Sequence, residues 1–324
     1  MIKIAFIKFG GMANGGTEKY LQTIAAHLPK DEFNVEFKDL RTHTHDWVNT
    51  DFWEYFNEDD YDVIQLGRAG HPEYPFIHIN NTPIVDSIHL SGMAENKNNI
   101  IKTVLISKEQ RDRWIMAGGP EDKSVIIPNP LKVPDIGNVN YREEFGWQDK
   151  FVFGLHQRRD NHIFSPLPLE AYDEIETDDT AFLLLGGSES YQKQAKDLGL
   201  KNFKHLPTTG ELEPIHKFLN TLNVYAHGRA DGEQCSCAII EAMSHGLPVI
   251  SHTAPSMGQL EQIADAGEVV EGYEEYAEVM KKMMYNKNYF VNCKINSNKR
   301  YEDVYKLDTV IKKYIEIYKE VANA

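Results

Sequence analysis

Short apolar, β-branched runs alternate with stretches of helical spacing along this chain. That alternation is the feature that most restricts its fold. "IKIAFIK" (2–8) reads as a buried strand and is followed by the glycine-rich "FGGMANGGTEKY". In "TEKYLQTIAAHL", Tyr20, Leu21, Ile24, Ala25 and Leu28 then fall on one helical face. Further strand candidates stand at 33–40, 61–67, 82–90, 102–108 and 124–131. Alternating strands and helices point to a parallel sheet, since a helix supplies the long crossover that a parallel pair needs. "PLKVPDIGNVNYREEFGWQDK" breaks the rhythm with Pro, Gly and Asn, which predicts a linker at about 131–148. A second series then begins, with strand candidates at 150–156, 180–187, 201–207, 221–227, 247–252 and 267–272. Helical segments are predicted at 168–176, 190–198, 212–220, 236–245 and 258–264. The last segment, 307–321, is amphipathic, with Val310, Ile311, Tyr314, Ile315 and Tyr318 on one stripe. Two doubly wound α/β domains follow, and 324 residues suit two cores better than one.

Ligands of open parallel sheets bind beyond the carboxyl ends of the strands, so chemistry is to be sought there. A net charge of −15 argues against a protein built to grip nucleic acid, but leaves room for a local anion site. The three cysteines, Cys235, Cys237 and Cys293, are sparse and odd in number, as in a reducing compartment. Cys-x-Cys has no second ligand pair for a metal and reads as small packing or loop residues. Met1 leads straight into a strand, and no apolar run approaches the roughly 20 residues needed to cross a membrane. The expectation is a cytoplasmic protein with at most peripheral membrane contact.

Several candidate residues stand at strand ends. Gly10, Gly11, Gly15 and Gly16 bridge the first strand and helix, where glycines allow close approach of backbone N–H groups to an anion. The pattern is neither G-x-G-x-x-G nor a phosphate-binding P-loop, and a turn capped by Thr17 is the plainer alternative. His89 ends "IVDSIH" and suits either a hydroxyl contact or a packed core position. Arg158 and Arg159 follow "FVFGLHQ", where their forked donors fit a phosphate as well as a surface ion pair. Arg68, in "QLGRAGH", is a weaker case of the same kind. "THTHDW" (42–47) has His-x-His spacing but no further ligand in view.

The most informative stretch is "GEQCSCAIIEAMSHGLPVIS" (232–251). Glu233 falls in a polar loop, and Ser236 is placed to cap a helix of about 237–245 that Gly246 and Pro248 end. Glu241 then lies about one turn into that helix. There it either faces solvent or, if buried, needs partners such as a pair of ribose hydroxyls.

Taken together, "GGMANGGTEKYLQTIAAHL", "TPIVDSIHLSG", "VIIPNPL" and "EQCSCAIIEAMSHGLPVISH" resemble the retaining glycosyltransferases of family 4, over nearly the whole chain and in the same order. The Glu-x7-Glu spacing running into E-A-M-x-x-G-x-P-V-I is the most specific part. The resemblance implies a GT-B fold, with two Rossmann-like parallel-sheet domains facing across a cleft. It places an acceptor-binding domain at 1–140, a nucleotide-sugar-binding domain at 149–305, and a C-terminal helix at 306–324 that crosses back to the first domain. It also implies roles. Glu241 looks like the glutamate on the donor ribose and Glu233 like the one on sugar hydroxyls. The backbone at Ser236 and Cys237 would meet the diphosphate, helped by Arg158. Gly15 and Gly16 match a glycine pair near the donor phosphates. His89 looks like the histidine facing the donor sugar, and the segment from Leu206 through Thr208 to Thr209 like the stretch reading the nucleobase.

Two departures stand out. The family's lysine about five residues after the arginine falls near Ile163, with Arg159 the substitute charge at hand. Gln234, Cys235 and Ser236 stand where the family tends to have glycines.

The implied reaction moves a sugar from a nucleotide-sugar donor, of UDP or GDP type, to a saccharide or glycolipid acceptor hydroxyl. It proceeds with retention, without a metal or other cofactor. The alternatives are a degenerate nucleotide-sugar-binding module and another GT-B enzyme such as an epimerase or a phosphorylase. A dinucleotide-dependent dehydrogenase, with Asp39 as its ribose acid, fits the glycines poorly. The acceptor region, about 40–80, carries Trp47, Phe52, Trp53, Tyr55 and Phe56, suited either to stacking on a sugar ring or to packing.

Overall fold

The structure, a computed structural model, describes residues 1–9, 16–40, 52–68, 79–89 and 97–324. It divides into two units: Met1–Leu131 with Leu307–Ala324, and Lys132–Lys306.

The first unit contains β1 (Ile2–Phe9), α1 (Gly16–His27), β2 (Phe33–Leu40), α2 (Phe52–Tyr55), β3 (Val63–Arg68), β4 (Ile84–Ile88), β5 (Ile100–Leu105), α3 (Lys108–Met116) and β6 (Ser124–Ile126). Its sheet has the order β2-β1-β3-β4-β5-β6 and every pair is parallel. The strand expected at 124–131 stops at Ile126, since Pro128 and Pro130 have no N–H to give a ladder. Successive side chains of β1 serve opposite faces. Ile4 and Phe6 pack with Tyr20, Leu21, Ile24 and Leu28 of α1. Ala5 and Ile7 pack with Ile64, Leu66 and Ile84 on the other face.

The chain's last helix completes the first of these cores. Its residues Val310, Ile311, Tyr314, Ile317, Tyr318 and Val321 are all buried there. The buried hydroxyls find partners within the unit. Tyr318 donates to Gln65 Oε1 (2.7 Å), and Gln65 Nε2 and Tyr20 both donate to Ser87 Oγ (2.9 and 3.0 Å). Tyr314 and Tyr20 share a hydrogen bond between hydroxyls. Burial pushes the Tyr20 phenol up to about 12, so it stays an O–H donor at ordinary pH.

The second unit begins with the stretch read as a linker. That stretch is tied into the unit by its own side chains. Around α4 (Arg142–Phe145), the Arg142 guanidinium donates to Asn223 Oδ1 (2.7 Å) and to the Lys150 carbonyl (2.9 Å), and Trp147 is buried. There follow β7 (Phe151–Gln157), α5 (Leu167–Asp173), β8 (Thr180–Gly186), α6 (Glu189–Leu198), β9 (Phe203–Leu206), α7 (Leu212–Thr221), β10 (Val224–Ala226), β11 (Gly232–Glu233), α8 (Cys237–Ser244), β12 (Val249–His252), β13 (Ser256–Met257), α9 (Gly258–Ile263), β14 (Gly267–Val270), α10 (Gly272–Tyr285) and α11 (Lys287–Arg300). A five-residue π-helical turn, Tyr301–Tyr305, precedes α12 (Leu307–Val321). The main sheet has the order β14-β12-β10-β7-β8-β9, all parallel, and β11 pairs with β13 in a two-strand ladder. Among the described residues no helix is long and apolar enough to cross a membrane.

Candidate functional site

The carboxyl ends of the second sheet gather most of the candidate residues. β7 delivers Gln157 and then Arg158, and β8 ends at Gly186, level with Gln157. β9 ends at Leu206, level with Leu185. The backbones approach closely here. The Gly187 N–H donates to the Gln157 carbonyl (2.6 Å), and a Cβ on Gly186 would stand 2.4 Å from that same oxygen. The exposed Thr208 sits beside this turn, with Oγ1 3.1 Å from the Gly186 Cβ position. Both Gly186 and Gly187 have positive φ, which a residue with a Cβ would adopt only under strain.

Helix α8 lies in the next part of the same edge. Ser236 is its N-cap and its Oγ accepts from the Ile239 N–H (3.4 Å). The helix ends at Ser244; beyond it Gly246, φ +63°, donates to the Met243 carbonyl (2.9 Å), while Leu247 donates to Ala242 (3.2 Å). The first amides of a helix have no acceptor within it and favour an anion. Cys237, the first residue of α8, is exposed, whereas Cys235 is buried.

The loop before α8 is held by α9 and, through Gln234, by β13. Gln262 brackets Ser236, its Oε1 accepting from Ser236 N–H and its Nε2 donating to the Ser236 carbonyl (both 2.9 Å). Gln259 Oε1 accepts from Glu233 N–H (3.2 Å) and its Nε2 donates to the His252 carbonyl (3.2 Å). Gln234 Nε2 donates to Ser256 Oγ (2.6 Å). Gly232 has φ +75°, and a Cβ there would stand 1.9 Å from the Ser256 carbonyl oxygen. None of these glutamine contacts was foreseen from the sequence. The hint was the i, i+3 pair in "GQLEQI", which puts both amides on one helix face.

Glu233 is half-buried between Arg229 and His227. Arg229 Nη1 donates to its Oε1 (3.3 Å), and His227 Nε2 stands 3.8 Å from the same oxygen. Burial pushes the Glu233 carboxyl up, but the hydrogen bond and charge of His227 and the charge of Arg229 outweigh this and leave it below the usual value. Arg229 is itself locked on Asp231, Nε to Oδ1 at 2.6 Å and Nη2 to Oδ2 at 3.1 Å.

Glu241 is buried, not on an exposed stripe, and its Oε2 accepts from His156 Nε2 (2.7 Å). His156, the partner of Glu241, is a residue that sequence reading passed over among thirteen histidines. Its signal was a titratable side chain in an apolar strand, two positions before Arg158. Both arginines stand in surface ion pairs. Arg158 is exposed and pairs with Asp160 (3.0 Å), and Arg159 is exposed and pairs with Glu189. Such surface pairs contribute little, so an incoming anion displaces them at small cost. The charge of Arg158 is still felt at Asp231, so it lies near the Glu233 loop. Ile163, at the family's lysine position, is buried, and its carbonyl accepts from Ala230 N–H (3.2 Å).

Two further histidines lie below Glu241. Asn220 Nδ2 donates to the Gly137 and Val139 carbonyls (2.9 and 3.0 Å), which turns its Oδ1 toward His245 Nδ1 (2.7 Å). His245 Nδ1 is therefore the donor, and its Nε2 accepts from His216 Nδ1 (2.6 Å). Burial, and next His216, push the His245 imidazole down to about 4, and burial pushes His216 down too. The unfolded imidazole, at about 6.5, takes up protons that the folded one refuses. Stability from this pair is therefore full above about pH 6.5 and is lost as pH falls toward about 4, by up to about 1.4 kcal/mol per pH unit for His245. Urea midpoints between pH 7.5 and 5 are expected to fall accordingly, and less steeply in H245N. Equal slopes in the two proteins count against the buried pair.

In the first unit, His89 follows β4, and its ring meets Tyr20 edge-on at 4.4 Å. Gly16 opens α1, whereas Gly15, Gly10 and Gly11, the His-x-His pair and Trp47 lie outside the described residues. Of the aromatic cluster, Phe56 stacks on Tyr61 (5.6 Å, 9°) and Tyr55 is exposed. Among the described residues no group of three or more His, Cys, Asp or Glu is placed to hold a metal ion.

Residues 158–300, from Arg158 through the whole Glu233–Glu241 region, match the family model for glycosyl transferases group 1. No curated protein matches the sequence significantly. Among solved structures the chain is similar to Anabaena Alr3699/HepE in complex with UDP and glucose, at 17% identity and TM-score 0.76 over 98% of this chain and 100% of that one. It is similar to a glycosyltransferase from Rickettsia africae ESF-5 (12%, TM-score 0.76, 99% and 98%). It is also similar to the sucrose-phosphate synthase of Thermosynechococcus elongatus (14%, TM-score 0.75, 99% of each). The chain thus has the GT-B fold, and its second unit is where the likeness to the glycosyl transferases group 1 resides.

Proposed function

We propose that this chain is a glycosyltransferase that moves a sugar from a nucleoside-diphosphate sugar to the hydroxyl of a saccharide or glycolipid acceptor, retaining the anomeric configuration. One observation carries the reading. A capped helix start at the sheet's carboxyl edge is flanked by a carboxylate in the loop before it, Glu233, and a second one turn further in, Glu241. Donor groups for a diphosphate thus lie between two acceptor groups for hydroxyls.

In this reading the amides at Cys237 and Ala238 and the side chains of Arg158 and Arg159 stabilise the charge that grows on the departing diphosphate. Glu233, kept ionised by His227 and Arg229, accepts from sugar hydroxyls. Glu241 accepts from the ribose, and the backbone from Leu206 to Thr208 lines the base. The leaving phosphate takes the acceptor proton as the new glycosidic bond forms on the same face. The cationic work falls to arginines and helix amides, so no metal is part of the proposal. The three HepE complexes, with UDP, with UDP and glucose and with UDP-glucose, support a UDP-type donor.

The test is release of nucleoside diphosphate from a panel of UDP-, GDP-, ADP- and TDP-sugars, with the anomeric configuration of the product read by NMR. Absence of turnover with every donor and a range of sugar acceptors refutes transfer. Ile163 favours one other reading, because a buried isoleucine leaves no cation where the resembling family has lysine. In that case nucleoside diphosphates bind and no sugar moves.

A further inference from the structure

We propose that His156 is the positioning residue of this site, fixing the Glu241 carboxylate so that one of its oxygens is held for the ribose. The inference rests on the reading of Glu241 as the ribose acceptor and adds the group that makes it one.

Strand alternation puts His156 on the sheet face covered by α7 and α8. Its ring is wedged edge-on between Phe218 of α7 (5.7 Å, 67°) and Tyr225 of β10 (5.5 Å, 67°). The backbone on either side is pinned as well: the Tyr225 hydroxyl donates to the His156 carbonyl (3.2 Å). The imidazole therefore has one orientation, and in it Nε2 meets Glu241 Oε2 at 2.7 Å, with side chains 12% and 11% exposed. His156 Nδ1 is buried with no hydrogen-bond partner among the described residues. A bare lone pair is less costly to bury than an N–H, so Nε2 carries the proton and donates it to Glu241.

That donation uses one carboxylate oxygen. Among the described residues nothing donates to the other, Oε1. A glutamate has three rotatable bonds, and a free one loses rotamer entropy when it binds a ligand. His156 removes that loss in advance, and it occupies the oxygen that would otherwise compete as a second, wrongly placed acceptor. A residue acting this way changes how well the site tells a ribose hydroxyl from its absence. A residue that merely packs changes all ligands alike.

The experiment measures, by calorimetry, the affinities of UDP, GDP and ADP and of their 2′-deoxy and 3′-deoxy counterparts. It uses the full-length wild type, H156F, H156N and H156Q. The wild type is expected to favour the ribonucleotide that it binds over at least one deoxy form by about tenfold, the size of a hydrogen bond to a charged group. H156F, which keeps the ring packing but has no donor, is expected to bring that preference within about twofold while the deoxy affinity stays constant. H156Q, whose amide nitrogen reaches the same place, restores most of it. H156N, too short to reach, does not, and it serves if H156F does not fold. Equal weakening of ribo and deoxy forms in H156F and H156N, or a preference that survives both, overturns the proposal alone. A wild type that binds none of the three, or whose preference is unchanged in E241A, overturns the ribose reading of Glu241 and the proposal with it.

Discussion

Glu241→Ala is expected to lower kcat/KM for the donor sugar by about 100-fold. Hydrogen bonds to a charged group contribute roughly 1.5–3 kcal/mol, which at 1.4 kcal/mol per decade is about 10- to 150-fold. The upper part of that range applies, because Glu241 is buried and water cannot take over its acceptor role cheaply. The loss should fall on nucleotide binding, since the ribose is remote from the reacting carbon and is held equally in ground and transition states. KM should therefore rise with little change in kcat. The variant also leaves His156 Nε2 without its acceptor, so a modest drop in melting temperature accompanies the kinetic change. Steady-state kinetics on the donor identified by the panel decide the matter. A change in kcat/KM below about threefold in a folded variant removes Glu241 from the donor site.

The second large effect is structural. A chain ending at Lys306 is expected to lose the fold of the first unit while the second unit stays folded. α12 contributes six buried side chains to the first unit's core, each worth roughly 1.5–3 kcal/mol. Their sum is about 9 kcal/mol at the least, as large as the whole net stability of a typical domain. The truncation also strips Tyr20 and Gln65 of their Tyr314 and Tyr318 partners, leaving polar groups buried among apolar ones. Limited proteolysis should digest 1–131 rapidly and spare a fragment near 132–306. A truncated protein that resists protease along its whole length, with the melting curve of the intact chain, contradicts this account.

Much of the architecture was legible because it depends on local periodicity. The alternation of strands and helices, the stripe of α12, the Ser236 cap and the Gly246 stop all follow from residue types at fixed spacings. α10 and α11 were not read from the sequence. α11 buries only Cys293 and Ser297 along its length, so it carries almost no apolar stripe to detect. The contacts of the linker region were hidden for a related reason. Its Pro, Gly and Asn mark irregular backbone correctly, but Arg142 and Trp147 tie that backbone to residues far along the chain.

The site divides in the same way. The positions of Glu233, Arg158 and the α8 start were visible because each stands at the end of a recognisable element, and that of Glu241 because it lies one turn inside α8. His156 and the two α9 glutamines were not, since their roles are set by partners 85 and 26 residues away. The ion pairs of the two arginines belong to this second kind. Arg159 pairs across 30 residues, a contact no spacing rule announces.

The return of α12 to the first unit also fixes the order in which the protein can be finished. Residues 1–131 leave the ribosome before 132–306, yet the helix that closes their core is made after both. The second unit, contiguous from 132 to 306, has all its parts before that helix appears. Of the two units, the one begun earlier is completed later. Throughout the intervening synthesis, the apolar face of α1 and its sheet waits uncovered, a period in which it is exposed to chaperones and to other nascent chains.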